Sequence, residues 1–270
     1  MKAPTLLVLT DFFPAAGRAL DYAAGLAAPL GAQLVLLHVR RDSLLDPDAL
    51  TGKLANLSPP AVKLALTRLT EDLPVPAVAE VSHGRVLPAV LDAVSRLQPA
   101  LVVLGRPDRE ELPDELTSTT ALDLLQNAPS PLLVVPPSRS GSSVPRRLLL
   151  AVDGEPFTLG EFAGPARQLL SGLQAELTVL HCAPEARDSA AALDAATQTG
   201  LTAEMTKIHV LQVVTDNPAD GILTTAQSSD YDAVVMLARR RSVLGRLFHR
   251  SVTAQVLLHC SLPVLVLPVE

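Results

Sequence analysis

Tryptophan is absent from the 270 residues, and five phenylalanines and two tyrosines supply all the aromatic rings. A chain so poor in stacking platforms does not read as a binder of single-stranded nucleic acid. The net charge of −6 points the same way, because phosphate recognition needs a basic field over a whole face. No nucleic-acid partner is therefore expected. The two cysteines, Cys182 and Cys260, form no spacing motif, so neither a disulfide framework nor a zinc site is expected, and a reducing cytoplasm is the simplest compartment. No stretch reaches the roughly 18 apolar residues that mark a membrane span. The first apolar run, "TLLVLT", stops at Asp11, too early for a signal-peptide core. The Gly-x-Ser-x-Gly elbow of the serine hydrolases is also missing.

What the chain does have is apolar content of 48%, ample for packed cores, and a repeat. An apolar run ends in an acid twice, at Asp11 in "TLLVLTD" and at Asp153 in "RRLLLAVD", 142 positions later. The following runs reach His38 in "AQLVLLHV" and His181 in "AELTVLHC", an offset of 143. Further on the offset becomes 132: "PALVVLG" with "YDAVVML", and "SPLLVVPP" with "LPVLVLPV". The extra residues of the first copy fall around "DSLLDPDALTGKLANLSPP". Between the copies, "PPSRSGSSVPRR" has the Ser, Pro and Arg composition of a linker. The expected organisation is a domain over 1–138, a linker over 139–146 and a second domain over 147–270.

Within each copy, short Val/Leu runs bounded by Pro, Gly or Asp alternate with longer Ala/Leu segments of helical period. That alternation predicts βαβ units and a parallel sheet covered on both faces. In copy one the pattern places strands near 5–10, 33–39, 77–82, 101–105 and 131–136, with helices near 15–29, 60–72, 85–97 and 118–127. Ser58 stands as cap of the second helix, with Pro59 and Pro60 in its first turn. In copy two strands fall near 147–152, 175–181, 208–214, 233–237 and 263–268, and helices near 157–172, 188–203, 217–228 and 251–260. Gly160 and Gly164 read as points of close helix packing.

Each copy resembles a universal stress protein domain. The residues that carry the resemblance are Asp11 and Asp153, "LLHV" and "VLHC", "PALVVLG" and "YDAVVML", "PLLVV" and "PVLVL", in the same order twice. The resemblance implies a tandem, Rossmann-like α/β protein of two doubly wound domains. Each would have a five-stranded parallel sheet in the order 3-2-1-4-5 with helices on both faces. It also implies antiparallel pairing of the two final strands, an intramolecular copy of a homodimer, with further homodimerisation left open.

Nucleotide-binding members of that family carry Gly, two residues, Gly, nine residues, Gly and then Ser or Thr after the fourth strand. Glycine lets the backbone approach the phosphates, and the next helix directs N–H groups and its positive end at them. Copy one keeps Gly105 and the hydroxyl positions Ser118 and Thr119; copy two keeps only Ser251. Residues 105–116 hold two arginines against five acids, a net of −3, and Asp108 replaces the second glycine. One carboxylate against one phosphate charge at about 4 Å costs about 4 kcal/mol at an effective dielectric near 20. Copy two instead reads "LARRRSVLGRLFHRS", five arginines and no acid over residues 237–251. Arg240 and Arg250 there are candidate phosphate or carboxylate ligands, although their bulk denies the approach that glycine allows. A solvated charged face is the other reading of that stretch.

Asp11 and Asp153 stand where ligands bind in open α/β sheets, and in nucleotide-binding relatives such an Asp faces the nucleoside. Each also reads as the cap of a turn, with Pro14 and Pro156 three residues on. His38 and His181 read as structural. The candidate cofactor-binding set is thus Asp11, Gly105, Ser118, Thr119, Asp153, Arg240, Arg250 and Ser251, with no catalytic or metal residue assigned. Two functions fit: a non-catalytic stress-response binding or interaction protein with an anion or acidic partner at the Arg239–Arg250 loop, or a weak binder or slow hydrolase of ATP with magnesium.

Overall fold

The computed structural model describes residues 3–40, 58–108, 119–127, 130–138, 143–185, 190–203, 205, 207–228, 230–239 and 251–270. In the first half the elements are β1 (Thr5–Thr10), α1 (Pro14–Leu30), β2 (Gln33–Arg40), α2 (Pro59–Glu71), β3 (Ala77–His83), α3 (Val86–Leu97), β4 (Leu101–Gly105), α4 (Thr119–Asn127) and β5 (Leu132–Val135). The second half has β6 (Arg147–Ala151), a 3₁₀ turn (Gly160–Phe162), α5 (Ala163–Leu173), β7 (Glu176–Ala183), α6 (Ala190–Gln198), β8 (Ile208–Val214), α7 (Pro218–Ala226), β9 (Ala233–Arg239), α8 (Val252–His259) and β10 (Val264–Val269).

All ten strands form one sheet in the order β3-β2-β1-β4-β5-β10-β9-β6-β7-β8. Each half has the expected 3-2-1-4-5 order with parallel neighbours, and the halves join where β5 and β10 run antiparallel. The register there is Leu132 with Val266, Leu133 with Leu265 and Val134 with Val264. Under the repeat offset of 132, Leu133 and Leu265 are equivalent residues, so the pair that faces itself across the seam marks a local two-fold axis. The strands nearest the seam are buried on both faces, which is why they read as unbroken Val/Leu runs. Leu6 and Val8 of β1 turn to one face beneath α1, while Leu7 turns to the other beneath α3 and α4; each of the two cores draws residues from both halves.

Polar side chains of the first half reinforce the seam. The Arg106 guanidinium, one residue beyond β4, donates to the carbonyls of Leu257 (2.6 Å) and Cys260 (2.7 Å) at the carboxyl end of α8. A cation placed on the unsatisfied carbonyls of a helix end is favourable both as hydrogen bonding and through the helix dipole. The Ser138 hydroxyl likewise donates to Ser261 O (2.6 Å).

Four expectations need correction. The helix expected near 157–172 begins at Ala163, preceded by the 3₁₀ turn, whereas its counterpart α1 begins directly at Pro14. A Cβ on Gly105 would lie 1.9 Å from Ala15 O, so the first turn of α1 needs a glycine there; copy two has Leu237 in that place, and no turn can lie against it. Residues 156–159 instead form neither helix nor strand, burying Phe157 and Leu159, and Thr158 exchanges backbone hydrogen bonds with Glu270. Gly164 has no atom near its would-be Cβ and Gly160 serves a turn with φ 51°, so neither is a close-packing glycine. The helix expected near 188–203 ends at Gln198, followed by a turn through Gly200. Ser58 occupies the backbone cap position of α2 but makes no side-chain cap hydrogen bond.

Asp232 ties β6 to β9 at their amino ends, accepting from the backbone N–H groups of Arg146 (2.9 Å) and Arg147 (3.0 Å) and from the Arg147 guanidinium (3.1 Å). Burial pushes its carboxyl up, but these donors together outweigh burial and hold it below the ordinary Asp value. A carboxyl depressed in the folded state stabilises above its unfolded pKa of about 3.9 and loses that contribution as pH falls through the folded value. Asp232→Asn is therefore expected to lower stability at neutral pH and to flatten the acid limb of a urea-unfolding profile below about pH 4. At the seam, Leu265→Ala should cost about 2 to 5 kcal/mol. Because both cores cross the seam, unfolding should remain one transition rather than splitting into two.

Candidate functional site

The carboxyl ends of β1 and β6 lead into matching turns. In "TDFFP" the Asp11 carboxylate accepts from the N–H of Phe13 at 3.0 Å, and in "DGEP" Asp153 accepts from the N–H of Glu155 at 3.0 Å. Both aspartates thus cap their own turns by the short polar reach that makes Asp a turn residue. The residue after each has positive φ: Gly154 at 82°, and Phe12 at 67°. For a bulky residue that conformation is strained. The Phe12 ring packs against His38, centroids 4.7 Å apart. His38 Nδ1 lies 2.9 Å from Thr10 O and His181 Nδ1 lies 3.0 Å from Val152 O. A carbonyl only accepts, so Nδ1 carries the hydrogen in each ring, and each histidine ties the second strand of its half to the end of the first. Both histidines have the structural role read from the sequence.

The halves diverge two positions beyond the glycine site. Arg239, the last residue of β9, sends Nε and Nη2 to the two carboxylate oxygens of Asp153, each at 3.0 Å. The same guanidinium donates to the carbonyls of Glu155 and Pro156, also at 3.0 Å. The hydrogen bond and charge of Asp153 hold the guanidinium even more firmly protonated than usual. In the first half Pro107 stands in this place, with no donor to offer, and the exposed Asp11 has no such cation on it among the described residues. The five-arginine count of residues 237–251 therefore overstates the charge available to a ligand, since Arg239 is committed to Asp153. Sequence reasoning missed this because β9 was expected to end at 237; it runs on to Arg239, paired with Val269 and three residues past Met236, the partner of the last β6 residue Ala151.

The remaining candidates are placed as follows. Gly105 ends β4 beneath the first turn of α1, a packing reason for glycine that is independent of any phosphate. Ser251 is the N-cap of α8, its hydroxyl accepting from the N–H of Ala254 at 3.1 Å. Thr119 opens α4. Ser118, Arg240 and Arg250 lie outside the described residues, as do Arg241, Arg246 and His249. Cys182 and Cys260 are free thiols; burial pushes the first up to about 11 and raises the second. Among the described residues no group of three His, Cys, Asp or Glu is placed to hold a metal ion, and no helix is long and apolar enough to cross a membrane.

In the second half the strand-end side chains are engaged within the chain. The Arg239 fork covers the aspartate that would face a nucleoside, and Ser251 is engaged with its own helix. A cavity of about 150 Å³ lies apart from these residues, between the 3₁₀ turn and Pro268–Glu270. It is about half the lower bound of roughly 300 Å³ for small-molecule pockets.

Two doubly wound domains joined edge to edge, each with an aspartate turn at the end of its first strand, define the class. The universal stress protein family model matches residues 3–136 and again 145–268, and the chain belongs to that family as a tandem of two such domains. A universal stress protein from Archaeoglobus fulgidus is similar along its whole length, with TM-score 0.76, 18% identity and 99% of each chain covered. A Pseudomonas aeruginosa protein of unknown function gives TM-score 0.65 at 20% identity, over 98% of this chain and 92% of that one. The cytoplasmic domain of a prokaryotic cation chloride cotransporter shares the fold at TM-score 0.53 and 11% identity, over 98% and 95%. No curated protein matches the chain in sequence.

The two glycine readings make a paired test. Gly105→Ala drives a Cβ into backbone that cannot yield cheaply, and is expected to lower stability by more than about 2 kcal/mol, as overpacking of a core does. Gly164→Ala, in open space inside a helix, should instead raise it by up to about 1 kcal/mol. Thermal or urea unfolding of the two variants measures both.

Proposed function

We propose that the protein is a non-catalytic binding and interaction protein of the universal stress type, and that its second domain does not take up ATP. The observation that supports this most directly is the bidentate Arg239–Asp153 pair, which neutralises the turn aspartate from within the chain. The loss of five of the six loop glycines and the acidic character of residues 105–116 support the same reading.

The arginines left beyond Arg239 carry the proposed binding. Arg240, Arg241, Arg246 and Arg250, with no acid among residues 240–250, would present four positive charges to an anion or an acidic protein surface. If the first domain retains adenine-nucleotide binding, the residues to carry it are Asp11, Gly105, Ser118 and Thr119. The observation favouring that domain over the second is the exposed Asp11 carboxylate, which accepts only from its own turn among the described residues.

Calorimetry of the full chain with ATP and magnesium is expected to show weak binding or none; low-micromolar affinity at either domain overturns the reading. A melting-temperature screen gives a second measure, since a ligand at 100 times its dissociation constant stabilises by about 2.7 kcal/mol. For the arginine loop, the double variant Arg240→Ala/Arg250→Ala should lose binding to an acidic polymer at low salt. Unchanged binding would reduce the cluster to a solvated face.

A further inference from the structure

The ten-stranded sheet ends in β3 on one side and β8 on the other, and the two edges are built differently. On β3, Glu80 sits mid-strand and is held by Arg96 at 2.8 Å, which also pairs with Asp92 at 3.1 Å. Charge on an edge strand is a common device against unwanted pairing. On β8, "IHVLQVV" holds no Asp, Glu, Lys or Arg, and Ile208, Val210 and Val214 are 38%, 40% and 60% exposed. These three alternate with Leu211 and Val213, which pack into the core on the opposite face. No helix among the described elements covers them.

The backbone of β8 has a defined direction. Lys207 O accepts from Leu177 N–H and Thr215 N–H donates to Ala183 O, so the odd-numbered residues bond inward to β7. The N–H and C=O groups of Ile208, Val210, Gln212 and Val214 therefore point outward, away from the sheet. We propose that β8 pairs antiparallel with β8 of a second copy of this chain, on a two-fold axis through Leu211. This register sets Ile208 against Val214 and Val210 against Gln212 of the second copy, and it uses all four outward-pointing residues on each chain. It joins the exposed apolar side chains of both copies on one face.

Charge selects the same arrangement. Lys207, which pairs with Glu176 of its own chain, lies at the start of the strand, and Asp216 lies just beyond its end. Antiparallel pairing brings the basic start of one copy beside the acidic end of the other, while parallel pairing would set lysine against lysine. The interface is isologous and closed, so association stops at two copies. The proposal is independent of what binds at the strand ends.

Sedimentation equilibrium of the full chain should give twice the 28.4 kDa chain mass. Val210→Pro removes an N–H that faces outward, leaves the ladder to β7 intact, and should return the mass to that of one chain. The matched change on the other edge, Val81→Pro, should leave the doubled mass unaltered. Leu211→Cys provides a test that leaves the backbone ladder to β7 intact. Residues on the axis form a non-hydrogen-bonded pair with Cα atoms about 4.5 Å apart, within disulfide range. Mild oxidation should convert this variant, and not the parent, to a covalent dimer, because burial holds both native thiols protonated. A parent of single-chain mass overturns the proposal. So does a dimer that survives Val210→Pro while Leu211→Cys fails to cross-link.

Discussion

The antiparallel contact between β5 and β10 is the constraint from which the rest of the architecture follows. Each half-sheet would otherwise end in an apolar strand with its backbone groups exposed, an edge that proteins seldom leave open. Joining the two closes both edges at once and lets each core run through both halves. The contact spans only three residue pairs, so its backbone hydrogen bonds are not the main source of stability. Their role is to set the register that brings Leu133 opposite Leu265 and the Arg106 side chain within reach of α8. Burial of the Leu and Val side chains on both faces supplies the larger stabilisation, at roughly 25 cal/mol per Å² of apolar area removed from water.

Within that frame, the two strand-end sites differ because of what each half places next to its aspartate. In the first half a glycine admits the first turn of α1, and proline follows two residues on. In the second half leucine excludes that turn and arginine folds back onto Asp153. An ion pair with Asp153 half-exposed contributes no more than about 1 kcal/mol to folding. Its effect on binding is larger in kind, because any ligand that requires the carboxylate must first displace two hydrogen bonds from a guanidinium that two carbonyls also hold in place.

Much of the fold is legible in the sequence, for physical reasons that also mark where legibility ends. The strands buried on both faces announce themselves as unbroken aliphatic runs, so β1, β4 and β6 fall close to their expected places. The repeat carries topology, since equal patterns imply equal folds; that the last strands pair with Leu133 facing its equivalent Leu265 is seen in the structure. The late start of α5 is not legible, because it depends on how Leu237 crowds a turn that would begin near residue 157, far away in the chain. The same is true of Arg239: as text it is one of a run of arginines, and only strand register shows that its partner is Asp153 rather than a ligand. Local caps are intermediate cases. Ser251 reads correctly as a helix start, but its hydroxyl is taken up by Ala254 N–H, which composition cannot reveal.

The Arg106 contact illustrates what fusion makes available. In a dimer of identical chains every interfacial contact appears twice, and a side chain that suits one direction must be tolerated in the other. Here the position equivalent to Arg106 in the second half is Ala238, buried in the sheet, so the bridge to a helix end is made in one direction only. Duplication followed by fusion thus frees each half to vary separately. One half can become a support for its neighbour while the other keeps a surface open to change, a division of labour that symmetry forbids to a homodimer.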